Sequence, residues 1–132
     1  MDASKAGTPT YPRIVPFAHV SAASTISASS WIDERGAWEM PSKGWVCIHV
    51  ETEPGVYYEI CFYDPVRLRQ DMEAVVEGEG APCFAETASL VLLPSVTVEA
   101  VENSVKYLWE KNYISAWQPD EKFSPPENEA SL

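Results

Sequence analysis

A chain of 132 residues that is 45% hydrophobic, with five Trp, six Tyr and four Phe, is long enough for one domain with a real core and too short for two. Its net charge is −11, and the excess is not spread evenly: residues 1–43 balance four acids with four bases, residues 44–118 carry twelve acids against four bases, and residues 119–132 carry four against one. An acidic folded region repels phosphate backbones and anionic lipid, which argues against nucleic-acid and membrane binding and in favour of a basic protein partner.

Residues 1–30 are small, polar and proline-punctuated, and SAASTISASS at 21–30 is low in complexity, so this stretch is expected to be a disordered or weakly ordered extension. Within it, residues 14–20 have the composition of a short strand interrupted by Pro16. Trp31, Trp38 and Trp45 recur every seven residues, but Gly36, Pro41 and Gly44 speak against a helix carrying them. Packing of these rings onto the body of the fold is the plainer expectation, and a partner-binding platform including Trp31 and Trp38 is the sharper one.

From Trp45 the pattern turns to period two. Val46, Ile48 and Val50 alternate with Cys47, His49 and Glu51, and after Glu53-Pro54-Gly55 the residues Tyr58, Ile60 and Phe62 alternate with Glu59, Cys61 and Tyr63. This predicts a hairpin over 45–63. A two-residue loop would set the two apolar rows on opposite faces, so a three-residue loop pairing Val50 with Ile60 and Ile48 with Phe62 is preferred. Asp64-Pro65 then supplies a cap and a first helical residue for a helix over 65–77, with Leu68, Met72, Val75 and Val76 on one stripe and Gly78 as its stop. That helix is expected to cover Ile48 and Phe62.

The uninterrupted apolar run at 88–93 predicts a strand buried on both faces and parallel to the second hairpin strand. Thr97 caps a helix over 97–111 whose stripe is Val98, Val101, Val105, Leu108 and Trp109. Residues 113–117 suggest a short strand or docking segment, and 119–132 an acidic, disordered tail. The expected fold is therefore α+β, a small two-layer α/β sandwich with core order β-β-α-β-α, in a single domain at 31–118.

The preferred register sets His49 opposite Cys61 with Cys47 one pleat away, a grouping able to ligate zinc or to act as a thiolate–imidazole pair in a small hydrolase. No spacing motif supports either reading, so no metal and no cofactor are expected. Phosphate-loop, CxxC, HExxH and GxSxG patterns are absent. Three cysteines without a close-spaced framework, and a start not followed by the apolar run of a secretory leader, suggest reduced thiols and a cytoplasmic location. The function expected is a non-enzymatic protein-binding module of inhibitor, immunity or adaptor type. Glu73, Glu77, Trp31 and Trp38 are its candidate contacts. The Cys47, His49 and Cys61 site is the alternative.

Overall fold

The computed structural model describes residues 10–20, 25–26 and 29–126. Along the chain run β1 (Arg13–Ile14), β2 (Thr25–Ile26), β3 (Ser29–Asp33), α1 (Glu34–Lys43), β4 (Trp45–Glu53), β5 (Val56–Tyr63), α2 (Pro65–Glu73) prolonged by a π-helical turn (Ala74–Gly78), β6 (Ser89–Leu92), α3 (Val98–Glu110) and α4 (Tyr113–Ala116). The fold is α+β, and the expected order hairpin, helix, strand, helix is present. A mixed four-stranded sheet is ordered β1-β4-β5-β6. Its first two pairings are antiparallel, β5–β6 is parallel, and β2 and β3 form a separate pair.

The hairpin turn resolves the choice between loop lengths in a way the pattern does not predict. Glu53 pairs with Val56 across a tight Pro54-Gly55 turn, as in a two-residue loop, and Gly55 takes the positive φ such a turn needs. Thr52 is then left over as a bulge, after which Glu51 faces Tyr57, Val50 faces Tyr58, Ile48 faces Ile60 and Cys47 faces Cys61. The extra residue puts both apolar rows on one face, which the three-residue loop was invoked to achieve. The register is two residues from the expected one, so faces are kept while every cross-strand partner changes.

That apolar face is the core. Val46, Ile48, Val50, Tyr58, Ile60 and Phe62 pack with Trp31, Ile32 and Met40 from the β3–α1 unit and with Val101, Val105, Leu108 and Ile114 from α3 and α4. The α3 stripe matches expectation, and the Thr97 hydroxyl accepts the Ala100 N–H. The core cluster holding Ile48 and Phe62, however, takes its helical residues from α1, α3 and α4, and none from the helix at 65–77. Although α2 is capped by Asp64 as expected, it buries no residue, and Met72 is largely exposed. Burial depends on which face a connection crosses, which periodicity does not encode.

Helix α1 is the element the sequence argued against. Asp33 caps it by accepting the Gly36 N–H at 2.7 Å, and Pro41 sits in the final turn. A Cβ at Gly36 would lie 2.8 Å from the Ile32 side chain, so glycine there lets the first turn close onto β3. Gly44 ends the helix in the left-handed region with φ 70°, its N–H donating to the Met40 carbonyl. The two glycines read as breakers are the entry contact and the cap.

Both ends of the chain enter the fold further than expected. Arg13 pairs with Glu51 and Ile14 with Val50, Val15 is buried and donates its N–H to the His49 carbonyl, and Phe17 donates to Trp31. Residues 119–126 lie against the sheet, with Pro125 buried. The expectation of disorder in 1–9, 21–24, 27–28 and 127–132 falls outside the described residues.

Candidate functional site

Strand alternation sends Trp45, Cys47, His49 and Glu51 of β4, and Tyr57, Glu59, Cys61 and Tyr63 of β5, to the sheet face opposite the core. Both cysteines of the hairpin, His49, Glu51 and Glu59 lie there. Cys47 and Cys61 sit directly opposite each other, their Cα atoms 4.0 Å apart, and are joined by a disulfide. This overturns the expected Cys47, His49 and Cys61 grouping: the two-residue register shift pairs the cysteines with each other and leaves neither thiolate to ligate a metal or attack a substrate. It also removes reduced thiols as an argument for the cytoplasm. Cys83 is exposed and free.

On one side of the disulfide the residues converge on His49. It faces Glu59 across the ladder, and its Nε2 lies 2.9 Å from the Asp120 carboxylate. Asp120 is positioned by the chain after α4: its N–H donates to the Tyr57 carbonyl at 2.7 Å, and the Lys122 N–H holds its second carboxylate oxygen. Phe123 stacks on the imidazole, centroids 3.6 Å apart and planes within 10°, and meets Tyr57 edge-on. One ligand atom each from His49, Glu59 and Asp120 lies within 4.8 Å of the other two. The sequence placed His49 and Glu59 on one face, but Asp120 was hidden because its segment carries no periodic pattern.

Neighbouring Glu51 is 5% exposed and accepts from Arg13 Nε at 2.6 Å. Burial raises its pKa, but hydrogen bonds from Arg13, Tyr57 and the Gly55 N–H, with the Arg13 charge, outweigh burial and hold the carboxyl below its ordinary value. Glu51 is thus satisfied. Glu59 differs: among the described residues its half-buried carboxylate has no hydrogen-bond or ion-pair partner.

On the other side of the disulfide lies an acidic and apolar pole centred on Tyr63. Its hydroxyl donates to Glu86, Phe84 meets its ring edge-on, and Leu92 is its neighbour on β6. Burial, the Glu86 hydrogen bond and the negative charges of Glu86 and Asp71 all push the phenol pKa well up. Arg67 lies over the Trp45 ring and pairs with Asp71. Leu90 and Leu92, in register with Cys61 and Tyr63, are 37% and 53% exposed. The apolar run at 88–93 therefore makes an edge strand, correcting the expectation of a strand buried on both faces.

Glu73 and Glu77 are both exposed, at the end of α2 and in the π-helical turn, and Glu73 pairs with Arg69. The two tryptophans part company. Trp38 is 81% exposed, whereas Trp31 is 2% exposed and donates its indole N–H to Glu102 at 2.8 Å. Trp31 is a core residue, and its expected place on a partner surface is corrected. No helix among the described residues is long and apolar enough to cross a membrane. No protein-family model, curated protein or solved structure matches the chain.

Proposed function

We propose that the protein is a non-enzymatic binding module whose acidic pole takes a basic segment of a protein partner along the outer edge of β6. The observation that carries this reading is the combination found at that strand. Among the described residues β6 has no outer neighbour, its own Leu90 and Leu92 are exposed, and seven acids and no Lys or Arg occur in the sequence between Arg69 and Lys106. A leucine-bearing open edge is normally blunted by lysines, proline or a covering loop, because it templates further pairing. Here Glu86 stands three residues before the strand, Pro94 lies beyond its end, and the wider sequence around it is acidic, so a second copy of this chain would be repelled while a basic strand would be drawn in. Glu73 and Glu77 belong to the same stretch and supply long-range attraction, with the β6 backbone and leucines supplying the contact.

The alternative of a cysteine-based hydrolase loses its nucleophile to the disulfide. A cytoplasmic location is not required by the binding reading, and a disulfide suits an oxidising compartment better.

The test uses the full chain as bait in native lysate and then titrates the captured protein against purified variants. A basic partner is expected, and Leu92→Lys should weaken its binding by about tenfold or more, the scale of losing one well-packed interface residue. Glu73→Lys with Glu77→Lys should slow association. A captured protein that is not basic, or whose affinity ignores both changes, overturns the proposal.

A further inference from the structure

We infer that His49, Glu59 and Asp120 form a binding site for a divalent transition-metal ion, with Zn²⁺ the representative, and that the ion fastens residues 119–126 to the sheet. The site draws its three donors from separate places. His49 and Glu59 are directly paired across β4 and β5, and Asp120 arrives on the segment beyond α4. Their ligand atoms lie within 4.8 Å of one another. A tetrahedral zinc with bonds of 2.0–2.2 Å needs its donors about 3.4 Å apart. His49 and Asp120 are already closer than that, at 2.9 Å, and rotation of the Glu59 side chain closes the rest.

Two features separate this group from a chance cluster of surface acids. The first is orientation without the ion: Phe123 stacks on the His49 ring, the Lys122 N–H holds the far oxygen of Asp120, and the Asp120 N–H is tied to the Tyr57 carbonyl. Such supporting contacts are what fix ligands at metal sites. The second is an unanswered charge. Two carboxylates converge on one imidazole, and Glu59 has no partner among the described residues, while Glu51 two residues along β4 from His49 is fully answered by Arg13, Tyr57 and Gly55. A divalent cation cancels both carboxylates at once. An imidazole in the set favours Zn²⁺ and its first-row neighbours over Ca²⁺ or Mg²⁺, which prefer oxygen alone. Three protein donors leave a fourth position for water.

The experiment is calorimetric titration of the chelator-treated full chain, disulfide intact, with Zn²⁺ alone. One equivalent is expected to bind, and Glu59→Gln and Asp120→Asn should each weaken binding by at least about tenfold, since even the loss of a supporting contact at a metal site costs that much. Glu59→Gln is isosteric and removes no hydrogen bond, so it keeps the test sound if His49→Ala fails to fold. Cys83→Ser and His19→Ala, which remove the remaining thiol and imidazole, should bind as the unmodified chain does. Proteolysis within residues 119–126 should slow when Zn²⁺ is added. Absence of binding at about 0.1 mM Zn²⁺, or one-to-one binding unchanged in Glu59→Gln and Asp120→Asn, overturns the inference.

Discussion

At the scale of single residues, the three tryptophans show how little residue type alone decides. Trp31, Trp38 and Trp45 share a spacing of seven, yet one is core, one is solvent-exposed and one is half-buried under Arg67. The difference lies in the elements that carry them. Trp31 is on β3, beneath α3, where Glu102 can accept its N–H, whereas Trp38 is on the outer side of α1. Trp31→Ala should therefore destabilise the fold by about 3–5 kcal/mol, the cost of emptying a large aromatic site. Trp38→Ala should change stability by less than about 0.5 kcal/mol, as is usual for exposed positions. Denaturant unfolding of the two variants checks the pair, and equal losses would mean that the burial assigned to Trp31 is wrong.

At the scale of elements, the sheet edge at β1 includes the Arg13–Glu51 ion pair, whose energetics depend on pH. The folded-state pKa of Glu51 lies below its ordinary value of 4.5, so its contribution to stability is present above that value and is lost as pH falls through the folded one. Glu51→Gln should be less stable than the parent at pH 7, and the gap should close as both are taken toward pH 3. Thermal melts across that range check it, and a gap constant with pH would sink the argument. The elements legible in the sequence were helices announced by a cap and a stripe together, with Asp64 before α2 and Thr97 before α3, and the strands β4 and β5 announced by alternation. Three kinds of feature were not legible. Helix α1 was obscured because Gly36 and Gly44 act through a close contact and a left-handed cap, both of which look like breakers in one dimension. The hairpin register turned on the single bulged residue Thr52, and with it went the pairing of Cys47 with Cys61. Asp120 and Phe123 were invisible as site residues because nothing periodic marks a segment that docks through isolated contacts, such as the Asp120 N–H on the Tyr57 carbonyl and Phe123 stacked on His49.

For the molecule as a whole, the charge of −11 acts on folding and on binding with opposite signs, and that opposition separates the proposed role from mere solubility. Like charges on a compact chain repel, so screening should stabilise the free protein as salt is raised. Attraction between the stretch from Glu73 to Glu86 and a basic segment is screened by the same ions beyond about 8 Å at physiological ionic strength, so association should slow. Raising sodium chloride from about 0.01 M to 0.15 M, over which the screening length falls from about 30 Å to 8 Å, should therefore raise the melting temperature slightly while lowering the association rate of the captured partner severalfold. The dissociation rate should change far less, because the contacts assigned to Leu90, Leu92 and the β6 backbone are short-ranged. The Glu73→Lys, Glu77→Lys protein starts four charges less negative, so it should show both a flatter melting response and a flatter rate response. Stopped-flow mixing with the partner, alongside melts of the free chain in the same buffers, reads both quantities. If the melting temperature follows salt while the association rate ignores it, the acidic balance serves the free chain alone, and exposed Trp38 on α1 becomes the surface to test next.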